Sequence, residues 1–523
     1  MRRFAAAAFL VFASAYPFAQ GQDGADLGAI SRIRDEATRH SQLMETVRYL
    51  TDVYGPRLTG SPQLKTAASY VVDRLKGWGL PSARYERWGP FGPGWTNDRF
   101  VALALAPHFY PLIAYPKAWT PGTPGEVIAD AIWAPITKEA DFAAYHGKLQ
   151  GKFVLTAPLE PVPPAVSDSH RRYLPAELEQ LATPEPQAPA SDERAELAFA
   201  RKRMEYFIDE NVAALIEPSH GTRGTVFVGD GRLRDDALVG GPGFYPWPDA
   251  VALQIVLATE QYNRIARTLQ TGIPVTLEMN VVNAYHPADP DSVNVIAELP
   301  GTDAQPDVVM LGAHLDSWHA GTGATDNAAG CAVVLEAMRI LQATGLTMKR
   351  TVRLALWAGS EQGLLGSRAY VTHRFADPST MLPKPEHAGL SAYFNLDGGA
   401  GAIRGIYLQA NSDARPILEK WMEPFARSGM TTLSPRTREG SDHIPFDVVG
   451  LPAFHFIQDP LNYESQTRHS NLDVFEALDS RDLIENAVIV ASFIYHAANR
   501  PDSLPRKPLP PPNPLWTFPV PGR

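Results

Sequence analysis

VVMLGAHLDSWHAGTGATDNAAGC, residues 308–331, is where two kinds of hydrophobic patterning meet. Val308-Val309-Met310-Leu311 is a short, continuous apolar run of the sort a fully buried strand shows, and it delivers His314 and Asp316 at its end. A glycine-rich turn follows and closes on Asp326 and Asn327, just ahead of an apolar pattern at helical spacing. Strand, turn and helix with a His and two acids between them is the layout of a metal or catalytic site beyond a parallel strand. A polar loop with Asp326 as helix N-cap accounts for the same residues.

Outward from this stretch the chain alternates. Strands are expected at 293–297, 308–311, 351–357, 390–396, 406–408 and 453–457, and helices at 328–341, 365–374, 415–428 and 479–499. Apolar strands alternating with helices predict an α/β fold with a mainly parallel sheet covered on both faces. Upstream, 27–78 reads as helix in two pieces, the second opened by Ser61-Pro62. The turn Tyr54-Gly55-Pro56-Arg57-Leu58-Thr59-Gly60 between them has no role that composition fixes. Strands are expected at 84–88 and 96–105. From about Thr120 the texture changes to short strands at 125–129, 212–216, 224–228 and 275–282, a turn followed by a strand over 148–155, and helices at 193–210 and from 248 to about Leu269. This is a smaller β-rich domain inserted into the first. Its segment 158–192, rich in Pro, Glu and Ala, reads as an exposed insertion. The expected organisation is signal peptide 1–22, first part of the main domain 23–119, insert 120–285, main domain 286–500 and proline-rich tail 501–523.

The chain has 523 residues, ample for two or three domains, and a formal net charge of -10, which argues against a nucleic-acid partner. Its single cysteine, Cys331, rules out an intramolecular disulfide and a multi-thiolate zinc site, so zinc ligands should be His, Asp and Glu. Met1-Arg2-Arg3, an apolar run over 4–15 and the small and polar stretch Ala19-Gln20-Gly21-Gln22 have the layout of a secretory signal peptide. The apolar run is short for a bilayer span. The expectation is an exported protein, periplasmic or secreted, without stable membrane insertion.

Several strand ends carry chemistry: His314 and Asp316, Ser360 and Glu361, and Asp397, with Asp442, His443 and His469 flanking the strand 453–457. A two-zinc centre needs two imidazoles, two terminal carboxylates and a shared one. His314 with Asp397, Glu361 with His469, and Asp326 as the bridge supply that set, with Asp316 behind His314. Two such ions polarise a substrate carbonyl. No G-x-S-x-G elbow follows a strand, so a Ser-His-Asp hydrolase fits poorly.

The motifs GAHLDSWHAGTGATDNAAG at 312–330, WAGSEQGLLGSRAYV at 357–371, NLDGG at 395–399, GSDHIPF at 440–446 and TRHSNLD at 467–473 together resemble the M28 family of zinc metallopeptidases. The resemblance covers most of 290–500. It implies a zinc-peptidase domain with two zinc ions that cleaves a terminal residue from short peptides, as aminopeptidase, carboxypeptidase or dipeptidase. The insert, on the weaker ground of GKLQGKFVL and its placement, resembles the protease-associated domain of one branch. His314, Asp326, Glu361, Asp397 and His469 fall on the metal positions, and Tyr463 on that of an oxyanion-stabilising tyrosine. Asp316, Trp318, Gly321, Gly323, Ser441, Asp442 and His443 fall on support or pocket positions. For the free terminus of a substrate, Arg436, Arg438 and Arg468 are candidates to hold a carboxylate, and Glu439 and Asp442 an amine. One position departs: the family has two glutamates where this chain has Ser360-Glu361, the first being the general base. With serine there, a catalytically impaired peptide-binding relative is the alternative. The expected partner is a short peptide, with a homodimer left open.

Overall fold

The strand Val308–His314 lies near the middle of an eight-stranded sheet. The computed structural model describes residues 24–162, 171–184, 193–232, 251–303 and 307–512. The stretch read as a signal peptide, parts of the 158–192 segment and the end of the tail lie outside the described residues.

Across the sheet the order is Arg84–Trp88, Ser292–Leu299, Thr351–Trp357, Val308–His314, Leu390–Asn395, Ala453–Gln458, Ile403–Tyr407 and Thr432–Ser434. The central strands from 351–357 through 453–458 run parallel to one another. The strands 292–299 and 84–88 add antiparallel on one side, and 403–407 pairs antiparallel with 453–458 on the other. The sheet is therefore mixed, where the apolar strand runs had predicted a mainly parallel one. The reason shows in the edge strand Arg84–Trp88, whose alternating burial suits antiparallel addition with one face open.

Alternate side chains of the 308–314 strand serve two cores. Val309, Leu311 and Ala313 pack with the almost wholly buried helix Ala329–Thr344 and the final helix Ser480–Asn499. Met310 packs on the opposite face with Trp357, Tyr370, Tyr393 and Phe446. Burial on both faces is why this run is continuously apolar rather than alternating. The expected helices at 328–341, 365–374 and 479–499 are present as Ala329–Thr344, Leu365–Arg374 and Ser480–Asn499.

A second eight-stranded sheet takes in residues from Gly94 to His286 and has its own apolar core around Phe153, Ile216, Ile255 and Leu277. Its order is Tyr110–Pro111, Gly94–Ala106, Thr276–His286, Glu126–Trp133, Phe153–Leu155, Ala214–Pro218, Gln254–Leu257 and Ala114–Pro116. Two expectations change here. The strand expected at 96–105 belongs to this sheet and not to the main domain, because it pairs along its whole length with Thr276–His286. The helix expected from 248 begins only at Thr259; Gln254–Leu257 is a strand, parallel to Ala214–Pro218 and buried at every position. A short apolar run without Gly or Pro carries no local mark that separates strand from helix.

Candidate metal centre

Register brings the strand ends together. His314 pairs with Trp357 across one ladder, and Gly312 with Asn395 across the next, so Ser360-Glu361 and Asp397 emerge beside His314. The close approach depends on Gly312: a Cβ there would lie 2.6 Å from the Tyr393 hydroxyl and 2.7 Å from the Ala355 carbonyl oxygen. A buried relay of polar groups fixes the third strand end. Trp357 Nε1 donates to the Tyr393 hydroxyl at 2.7 Å, that hydroxyl to Asn395 Oδ1 at 2.7 Å, and Asn395 Nδ2 to Ser441 Oγ at 2.7 Å. Ser441 in turn donates to Asp397 Oδ2.

Asp326 stands in the middle of the cluster. His314 Nε2 lies 3.1 Å from its Oδ1 and 3.2 Å from Asp397 Oδ1. His469 Nε2 lies 3.2 Å from its Oδ2 and 3.0 Å from Glu361 Oε2. Each oxygen of one carboxylate thus faces a different imidazole-carboxylate pair. His314, Asp326 and Glu361 alone present ligand atoms within 4.8 Å of one another. Asp326 Oδ2 and Glu361 Oε1 are buried without a hydrogen-bond partner. The His314 ring places Nδ1 3.0 Å from the Asp316 carbonyl oxygen, where it donates, which directs Nε2 at two carboxylate oxygens. Buried lone pairs and anions in that arrangement call for cations between them, and two imidazoles with three carboxylates form a donor set that suits zinc. Electrostatics points the same way. Burial opposes a charged imidazole at His469, but Glu361 and Asp326 outweigh it and lift its pKa to about 10. Burial also works against the Asp326 carboxylate, yet the two imidazoles hold it well below the usual range.

The surroundings refine several expected roles. Asp316 steadies His314 through its main-chain carbonyl. Its carboxylate accepts instead from the Thr59 hydroxyl at 2.9 Å and from the N–H groups of Ser360 at 3.3 Å and Glu361 at 3.1 Å. Helix capping falls to Asn327 and not to Asp326: Asn327 Oδ1 accepts from Gly330 N and its Nδ2 donates to the Leu396 carbonyl. Trp318 Nε1 donates to Glu361 Oε2 at 3.0 Å, and its ring lies 5.8 Å from that of His469. Gly323, at φ +68, has no room for a Cβ beside Ser317. Tyr463 is buried with its ring against Gly399, and burial together with the Asp326 and Asp397 carboxylates raises its pKa, so it is a hydrogen-bond donor. Asp442 accepts from the Ser367 hydroxyl. His443 points away from the cluster, with Nε2 2.8 Å from the Arg438 carbonyl oxygen and its ring stacked on His455. Arg436 also turns away, donating to the carbonyls of Thr183 and Gln180.

Two positioning residues lie outside the expected set. Arg57 is buried in the turn at 54–60 and donates to the carbonyls of Leu315, Leu50, Thr322 and Gly323 at 2.7–2.9 Å, clamping the loop that carries Asp316 and leads to Asp326. Asp473 accepts from Thr325 N, Thr325 Oγ1 and, at 3.2 Å, Asp326 N. Asp473 closes the motif TRHSNLD, and Arg57 follows Gly-Pro in a turn; neither signal states a partner. The second sheet's domain reaches the centre too. Val228 N donates to the His469 carbonyl at 2.9 Å, and Asn471 exchanges hydrogen bonds with Val226. These contacts hold His469 at φ 61, a left-handed conformation a His rarely adopts. A cavity of about 300 Å³ opens beside His469, lined by Glu464 and Arg468 from one domain and Lys117, Glu217, His220 and Phe227 from the other.

Known proteins resemble this chain over much of its length. Residues 294–494 match the model of Peptidase family M28. Carboxypeptidase Q from Bos taurus is 26% identical over 464 residues, 88% of this chain and 86% of that protein. Leupeptin-inactivating enzyme 1 from Streptomyces exfoliatus is 35% identical over 161 residues, 30% of this chain and 34% of that one. Among solved structures, a peptidase M28 precursor from Shewanella amazonensis superposes with TM-score 0.66 at 22% identity, covering 92% of this chain and 98% of that one. A zinc aminopeptidase from Bacillus subtilis gives TM-score 0.55 at 18% identity over 87% and 94%.

Proposed function

We propose that this protein is a dizinc exopeptidase acting on short peptides, on the premise that residues 294–494 match the model of Peptidase family M28, a family of hydrolytic enzymes. The observation that carries the reading is Asp326, whose two oxygens face two separate imidazole-carboxylate pairs. His314 and Asp397 would hold one zinc, His469 and Glu361 the other, and Asp326 both. Bound there, zinc supplies a Lewis acid for the scissile carbonyl and lowers the pKa of the attacking water. The chain's own part is orientation. Asp316, Arg57 and Asp473 fix the loops that carry the ligands, and Trp318 holds Glu361. The Tyr463 hydroxyl donates to the oxygen on which negative charge develops.

The domain around the second sheet is proposed as a protease-associated insert. It closes one side of the cavity beside His469 and limits entry to short peptide ends. The N-terminal stretch is proposed as an export signal. Among the described residues no helix is long and apolar enough to cross a membrane. Ser360 favours a second reading, a peptide-binding relative with greatly lowered turnover, because a serine hydroxyl alone does not accept the proton of the attacking water near neutral pH as a carboxylate does.

Elemental analysis of the purified protein together with dipeptide hydrolysis tests both readings. The first expects two zinc ions per chain, turnover lost on chelation and restored by zinc. The second expects zinc and peptide binding without steady turnover. Protein without zinc would defeat both.

A further inference from the structure

The buried acids around the centre differ in whether their oxygens are already occupied. Asp316 accepts three hydrogen bonds and Asp473 three. Asp442 is 0% exposed, takes the Ser367 hydroxyl on Oδ1 and leaves Oδ2 with no partner. Its chain neighbour Ser441 donates to Asp397, which places it directly behind the metal cluster. Leu364 N donates to the Ser360 carbonyl at 3.0 Å and the Ser367 hydroxyl to the Leu364 carbonyl at 3.1 Å, so Ser360, 9% exposed, shares one turn of chain with the serine that binds Asp442, and it favours the ionised form of that carboxylate. Ser360 follows the strand end and immediately precedes Glu361. Asp442 is thus wholly buried, and Ser360 is the slightly exposed hydroxyl next to the proposed ligand Glu361.

We propose that Ser360 and Asp442 form a proton relay for the attacking water, an inference that rests on the peptidase reading above. As the water oxygen adds to the carbonyl carbon, its O–H bond breaks. The electron pair of that bond stays on oxygen, and an oxygen lone pair forms the new C–O bond. The released proton passes to Ser360 Oγ while the Ser360 proton passes to Asp442 Oδ2. On collapse the same path returns a proton to the leaving amine. Ser360 touches the reacting water; Asp442 acts through it. The acidity of Asp442 fits the part. Burial raises it to about 7, against His314, Ser367 and Ser360, which lower it, and with Asp397, which raises it further. The Asp442 charge also acts on the Tyr393 hydroxyl and helps to raise its pKa.

The test uses the full chain loaded with zinc and reads zinc content, KM and kcat against pH. Ser360→Ala and Asp442→Asn should each lower kcat about 10²–10⁴-fold, with zinc content and KM unchanged, and the double variant should be no worse than either single one. Placing Ser360→Glu in the Asp442→Asn background should restore turnover, because a carboxylate then meets the water directly; a fold damaged at Asp442 would not recover. In the metal-free protein, the infrared band of protonated carboxyls should contain a component that titrates near pH 7 and is missing in Asp442→Asn. The relay is overturned if Asp442→Asn keeps the parent kcat, if it loses zinc and Ser360→Glu fails to rescue it, or if the zinc-loaded parent shows no turnover. A parent that binds no zinc overturns the peptidase reading and the relay with it.

Discussion

Arg57 brings a guanidinium into the interior and spends it on main-chain carbonyls rather than on a carboxylate. Replacing it takes a donor from four carbonyls, of which only that of Gly323 is seen to keep another, Ala328 N. Arg57→Met should therefore destabilise the fold by about 3–5 kcal/mol, read as a shift in the urea midpoint, and Arg57→Lys should recover only part because an ammonium cannot span the same fork. Glu361 makes a different kind of contribution. Its Oε1 is buried without a partner and Oε2 is shared between Trp318 and His469. Glu361→Gln keeps the shape and removes the charge, so bound zinc per chain should fall while the thermal midpoint of the metal-free protein stays the same or rises. A metal-free protein that loses stability would mean that Glu361 serves packing instead.

At the scale of elements, a neutral histidine joins the Arg34–Glu485 pair and the Tyr495–Asp26 hydrogen bond in tying the helix Leu27–His40 to Ser480–Asn499. His496 Nδ1 donates to the Ser492 carbonyl, which leaves Nε2 to accept from Asp26 N at 2.8 Å. Burial lowers the pKa of His496, although Asp26 and the Ser492 carbonyl work the other way. A group whose folded pKa lies below its unfolded value gives stability that is present above the unfolded pKa and is lost as pH falls through it. The tie between Leu27–His40 and Ser480–Asn499 should accordingly weaken as pH drops below about 6.5, the ordinary histidine value. His496→Gln, which cannot take up that proton, should show a flatter dependence of the urea midpoint on pH between about 7 and 5. An equal slope in both proteins would assign the acid sensitivity to other groups.

For the whole molecule, the metal centre is where two sheets with separate cores depend on each other. The main domain provides every proposed ligand, yet His469 keeps its left-handed backbone through contacts with 226–228 from the other domain. Asn471 is the bridge residue, accepting from Val226 N at 2.7 Å and donating to the Gly224 carbonyl at 3.2 Å. Asn471→Ala should weaken zinc binding about 10-fold or more without touching a ligand, as loss of a supporting hydrogen bond commonly does, and competition with a chelator would measure it. Chelation should also lower the thermal midpoint, because a metal held only by the folded chain stabilises it by mass action.

How much of this was legible in the sequence follows from the range of each interaction. Apolar runs and helical spacing are local, so the strand Val308–His314 and the helices Ala329–Thr344, Leu365–Arg374 and Ser480–Asn499 could be read directly. The side chains that gather at the centre, His314, Asp326, Glu361, Asp397 and His469, were visible as strand-end acids and imidazoles and as motifs. Other matters rest on pairing between distant segments. Strand direction at the sheet edges, the membership of Gly94–Ala106 in the second sheet and the strand Gln254–Leu257 are settled by partners far along the chain, which no local pattern names. The same holds for Arg57 and Asp473, whose roles are hydrogen bonds across 258 and 148 residues of sequence. At the point where the sequence showed only a missing acid, Ser360, the fold sets a buried carboxylate behind it, Asp442, because close packing brings together groups that the chain keeps 82 positions apart.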